Sequence, residues 1–118
     1  MEALKPIDPI RVQKIIDSFL HKEVYIHLET TTGAYTSHHN QNSMTIVAFV
    51  RNAKITFSQG KIKGTGPYRV GLKTEEGWVY AEGLTDYTVD EQNRLLMAGH
   101  DRDGKLAIAL QISETPFS

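Results

Sequence analysis

The apolar positions change period once along the chain, dividing it into a helical opening and a β-patterned remainder. Val12, Ile15, Ile16, Phe19 and Leu20 recur at helical spacing, while Arg11, Lys14 and Asp17 fall off that stripe. Asp8 stands where an N-cap is needed, and Pro9 at the first helical position, where a missing N–H costs nothing. A single stripe covers a single surface, so this helix is expected to lie on a sheet. After Leu20 the period becomes two: Val24, Ile26 and Leu28 alternate with Tyr25, His27 and Glu29, which sets His27 outward. Residues 44–57 are apolar on both faces around Ile46 to Val50, as a central strand would be, with an interruption at Arg51 and Asn52. Ser58-Gln59-Gly60 and Gly64-Thr65-Gly66-Pro67 both read as breaks.

The next hairpin turns at Thr74-Glu75-Glu76-Gly77. A type I turn with a bulge would use Gly77 as its left-handed residue and set Thr74 opposite Trp78. Tyr68, Val70, Leu72, Trp78, Tyr80 and Leu84 then share a buried face, with Glu82 among them. Arg69, Gly71, Lys73, Val79, Ala81 and Gly83 form a thin opposite face open to a backbone, a ligand or a second protomer. A two-residue loop would instead set Glu82 across from Arg69 as a cross-strand ion pair. Residues 84–89 continue as a strand, and Asp90-Glu91-Gln92-Asn93 turns it. A last hairpin follows around Asp101 to Gly104, with Leu106, Ile108, Leu110 and Ile112 as its buried face. One helix and six to seven or more strands at short spacing imply a mainly β domain spanning residues 1–118. The expected form is a single antiparallel distorted sandwich or partly open barrel with one N-terminal helix.

Composition narrows the chemistry more than it names it. The 118 residues carry no cysteine, which excludes disulfides, thiolate metal sites and a cysteine nucleophile. A net charge of −1 exerts no overall pull on nucleic acid or anionic lipid. No apolar run approaches the roughly 20 residues a bilayer requires, and the opening residues have no signal-peptide character, so a cytoplasmic location is expected.

Residues 33–43 hold no aliphatic side chain larger than alanine and include His38 and His39, which makes this polar stretch the leading candidate for an exposed functional loop. With His27, His100, Asp101 and Asp103 these histidines offer metal-capable groups. Adjacent histidines in a strand point apart, so no metal is assigned and His38 and His39 stay weak candidates. Asp101-x-Asp103-Gly104 opens like a calcium loop but lacks the later ligands, and a hairpin turn accounts for it. The Gly64 to Pro67 run fits neither phosphate-loop template. No serine sits in a Gly-x-Ser-x-Gly context. Single-stranded nucleic acid needs aromatics interleaved with cations; most aromatics here sit at core parity, so no nucleic-acid partner is expected.

The runs Gly66-Pro67-Tyr68-Arg69-Val70-Gly71-Leu72-Lys73 and Gly77-Trp78-Val79-Tyr80-Ala81-Glu82-Gly83-Leu84-Thr85 resemble those of the small YojF-like proteins of Bacillus and relatives. The likeness extends over the whole chain and implies a β-rich distorted sandwich with no established activity and no functional residues to transfer. The thin face at Gly71, Ala81 and Gly83 motivates the expectation of a non-catalytic binding or accessory protein, without cofactor, that acts as a homodimer or on a partner protein or small ligand. Its candidate binding residues are His38, His39, Arg69, Glu82 and His100. The alternative is a small hydrolase-like enzyme using His38 and His39, with or without a divalent metal.

Overall fold

The structure is a computed structural model that describes residues 3–30 and 48–118. The 33–43 stretch, with His38 and His39, lies outside the described residues. The elements are β1 (Lys5–Pro6), α1 (Pro9–Asp17), β2 (Glu23–Thr30), β3 (Ala48–Thr56), β4 (Gln59–Lys63), β5 (Tyr68–Lys73), β6 (Trp78–Leu84), β7 (Asp86–Val89), β8 (Leu95–His100) and β9 (Leu106–Ser113). They form two antiparallel sheets, ordered β1-β7-β8-β9-β2-β3 and β4-β5-β6, in a sandwich-like arrangement with no closed barrel among the described residues. Among the described residues, no helix is long and apolar enough to cross a membrane.

The helix forms as its sequence dictates. The Asp8 carboxylate accepts from the backbone N–H groups of Ile10 and Arg11 at 3.2 and 3.3 Å, a cap worth about 1 kcal/mol. Val12 and Ile16 on its stripe, and Phe19 just beyond it, are buried. They cover the small sheet, and Gln13 fastens the contact. Its amide donates to the Gly60 carbonyl at 2.8 Å and accepts from the Ile62 N–H at 3.0 Å, so one side chain satisfies part of the free edge of β4. Gly60 lies within β4, paired with Leu72, and the position is glycine because a Cβ there would collide with the Ile16 side chain.

The two sheets meet where the chain leaves β6 for β7. Gly83 adopts a φ of 96°, and Thr85 donates its N–H to Ala98 at 2.9 Å. Gly99 faces this crossing so closely that a Cβ would fall on the Gly83 carbonyl oxygen. Val70, Leu72 and Leu84 from the small sheet and Leu95, Leu110 and Ile112 from the large one are fully buried between the layers.

Three expectations are corrected here. Among the described residues, the strand that ends the apolar run, β3, pairs with β2 alone rather than lying centrally, and Phe49 and Val50 are 59% and 38% exposed. Apolarity on both faces was a poor guide to centrality because an edge strand can carry apolar side chains on its outer face. The residues after Phe57 do not simply turn, since Gln59–Lys63 is a strand of its own. The single strand expected over residues 84–89 is broken at Thr85, where the chain changes sheet. The interruption at Asn52 is present as a bulge, with φ 58°, between Arg51 opposite His27 and Ala53 opposite Ile26. The Asn52 side chain exchanges hydrogen bonds with the Phe117 backbone at 2.8 and 2.7 Å. This pins the Phe117 ring between the Arg51 and Arg94 guanidinium groups, at 5.4 and 5.6 Å.

Arg94 also closes the turn expected at residues 90–93. Burial pushes the Asp90 carboxyl upward, but hydrogen bonds from the Arg94 backbone and guanidinium and from Gln92 outweigh it and hold the group below its ordinary value. Around Asp101 the expected hairpin forms. The Asp101 carboxylate accepts from the Asp103 and Lys105 N–H groups at 2.9 and 3.0 Å, so it serves its own turn.

The sheet crossing generates a direct test. Gly99→Ala should lower stability by about 2–3 kcal/mol, read as a fall in urea midpoint with unchanged slope, because backbone must move to admit the methyl group.

Candidate functional site: the outer face of the small sheet

The register of the β5–β6 hairpin decides which side chains reach water. The Thr74 N–H donates to the Gly77 carbonyl at 2.7 Å. The Thr74 hydroxyl donates to that same oxygen at 2.9 Å and accepts from the Gly77 N–H at 3.1 Å. The loop therefore has two residues, Glu75 and Glu76, and Lys73 pairs with Trp78, Gly71 with Tyr80 and Arg69 with Glu82. Val70, Leu72 and Ala81 turn inward and are buried.

This corrects the expected buried face. Trp78 and Tyr80 do not join the core; they are 46% and 50% exposed on the outer face, and Glu82 is exposed beside them. The expected thin face does not form either, because Ala81 is buried and Gly71 is roofed by aromatic rings. A Cβ at Gly71 would stand 2.7 Å from Tyr80 Cε1 and 3.7 Å from Trp78 Cε3, so the glycine is the floor on which both rings rest. Gly77 was misjudged because its φ is not positive; the Thr74 side chain makes the turn in place of a left-handed residue.

The rings stack on each other, with centroids 5.4 Å apart and planes 7° from parallel. The Arg69 guanidinium lies 5.0 Å from the Tyr80 centroid and the Lys73 ammonium 6.0 Å from that of Trp78. Each such contact contributes about 0.5–1 kcal/mol at an exposed position. On β4, Lys61 pairs with Gly71 and Lys63 with Arg69, which places both lysines on this same face. Lys61, Lys63, Arg69, Gly71, Trp78 and Tyr80 line an open cleft of about 280 Å³. Four cations and two rings thus share a surface whose strands contribute one carboxylate, Glu82, at its end.

The candidate residues separate accordingly. Arg69 belongs to the aromatic cleft and stands across from Glu82. Glu82 and His100 line a second cleft, of about 360 Å³, with Thr30, Pro67 and Thr85. His100 is half-buried at a bulge closing β8. A carboxylate and an imidazole in one cleft offer acid–base groups, but neither is held by a hydrogen bond to another described residue. Among the described residues, no three metal-capable side chains cluster.

His27 faces outward in register yet is buried. Its ring accepts from Arg51 through Nδ1 at 3.1 Å and donates through Nε2 to Glu29 at 3.0 Å, with Phe49 packed edge-on at 5.1 Å. It is a structural histidine.

Comparison with known proteins agrees with this architecture. The description "Protein of unknown function (DUF1806)" matches residues 6–117. The chain belongs to the DUF1806 family. The uncharacterised protein YojF of Bacillus subtilis (strain 168) is 65% identical to it over 115 residues, which span 98% of this chain and 99% of that protein. The crystal structure of the B. subtilis YojF protein superposes with a TM-score of 0.84 at 60% identity, covering 99% of each chain. The DUF1806 description assigns no activity, so the site rests on its own geometry.

Sequence reasoning missed Trp78, Tyr80, Lys61, Lys63 and Lys73 as site residues in this DUF1806 chain. A signal was available: Gly71 opposite Tyr80 is a glycine–aromatic cross-strand pair, and pairing Lys73 with Trp78 puts all the cations of β5 on the ring face. Trp78→Ala should cost less than about 1 kcal/mol by urea denaturation, whereas Leu72→Ala should cost about 3 kcal/mol or more. Equal losses would place Trp78 in the core.

Proposed function

We propose that this is a non-catalytic binding protein of the cytoplasm whose ligand is anionic, carries a flat ring and docks on the outer face of β4-β5-β6. The observation that supports this most is the exposed Trp78–Tyr80 stack set among Lys61, Lys63 and Arg69 of the cleft, with Lys73 over the indole. Exposed aromatics cost solvation unless something covers them, and cations bring anions to the same place. A planar group offers its face to the indole and phenol while its charged substituent meets the ammonium and guanidinium groups. The net charge of −1 is no obstacle, because the attraction is local to this face.

The hydrolase reading has weaker support. Glu82 and His100 share a cleft without an orienting partner among the described residues, and His38 and His39 lie outside the described residues.

Trp78 is the one tryptophan of the chain, so its fluorescence reports on the site alone. Nucleoside phosphates should quench it saturably, and Arg69→Ala should weaken that binding about tenfold, equivalent to roughly 1.4 kcal/mol. Sulfate, which has no ring, should leave the emission unchanged. Equal responses to sulfate and to nucleoside phosphates, or no response to either, would contradict the proposal.

A further inference from the structure

Resting on the reading above, we infer that the ring-bearing anion is a single-stranded nucleic acid, bound across all three strands of the small sheet without sequence preference. The spread of the cations carries this step. Neighbouring strands stand about 4.8 Å apart, so Lys61 and Lys63 on β4 are roughly 10 Å across the sheet from Trp78 and Tyr80 on β6. Along β5, Arg69 and Lys73 are separated by about 13 Å at an extended rise. One phosphate cannot serve positions so dispersed. A chain with phosphates at regular intervals can, provided that it also supplies ring faces for Trp78 and Tyr80.

Single-stranded nucleic acid meets both requirements. Its bases are free to stack on side chains, at about 1–3 kcal/mol per base, and its backbone follows a basic groove. A duplex hides its base faces, so it offers the Trp78 and Tyr80 rings nothing to stack on. Inorganic polyphosphate has the repeated charge but no ring. Gln59 is the one side-chain carboxamide among the paired positions of this face, and its flexible cations suit phosphates as well as bases, so stacking and charge dominate. The expectation that aromatics sit at core parity, which argued against this partner, fails for the two residues that matter.

The test is a Trp78 fluorescence titration of the whole chain with three probes: an oligothymidylate about eight nucleotides long, thymidine monophosphate, and inorganic polyphosphate. The oligomer should quench Trp78 and bind at least about tenfold more tightly than the monophosphate. Raising salt roughly fourfold should weaken the oligomer about 20-fold, as expected for about three neutralised phosphates on a single strand. The exposed pair Lys61→Glu/Lys63→Glu, checked for native circular dichroism, should cost the oligomer several-fold more affinity than the monophosphate. An oligomer no tighter than the monophosphate would overturn this inference while leaving the ring-bearing anion in place. Polyphosphate competing as well as the oligomer would also overturn it. Silence of Trp78 toward every probe would sink both.

Discussion

The pairing of Lys73 with Trp78 governs the character of the small sheet, because a strand slipped by one residue exchanges every side chain between its two faces. In the observed pairing Leu72 and Ala81 enter the core while Trp78, Tyr80, Arg69 and Lys73 reach water. The Thr74 side chain fixes this arrangement by closing a two-residue loop with Gly77. Packing enforces it from below, since Val70 and Leu72 are fully buried and a slip by one residue would put the charged Arg69 and Lys73 in their places. The outer face is then what remains, and its chemistry follows from the cations at alternate positions of β4 and β5.

The rest of the fold supplies a rigid base for that face. Helix α1 covers the inner side of the small sheet, with Ile16 resting over Gly60 and Gln13 bonded to the backbone of β4. At the other end, the Gly83–Gly99 approach brings the small sheet onto the large one so that their inner faces form one core. Glycine serves three different purposes in this one sheet. Gly60 admits the helix, Gly83 admits the sheet crossing, and Gly71 admits the aromatic rings.

Much of this was legible in the sequence, and the parts that were not have a common cause. Local signals read correctly: Asp8 and Pro9 start the helix, Asn52 interrupts its strand, and the 101–104 turn closes the last hairpin. YojF-like family membership was also apparent from the 66–73 and 77–85 runs, and the family comparison bears it out. The failures concern register and sheet order, which depend on partners distant in sequence. Whether Trp78 is inside or outside turns on one residue of loop length, and Gly77 invites the wrong choice. Whether β3 is central depends on what lies beside it, which its own apolar side chains do not reveal. Gly60 looked like a turn because its reason for being glycine, Ile16, is far away along the chain.

The orientation of Trp78 underlies the binding face, and acrylamide quenching of the ligand-free protein measures it most directly. With no other tryptophan in the chain, the signal is unambiguous. An outward indole should be quenched with an efficiency on the order of that of an exposed tryptophan in a peptide, reduced by the Tyr80 ring and the Lys73 side chain that lie against it. Quenching as slow as that of a tryptophan enclosed in a protein core would contradict the outward register and with it the aromatic, cationic face.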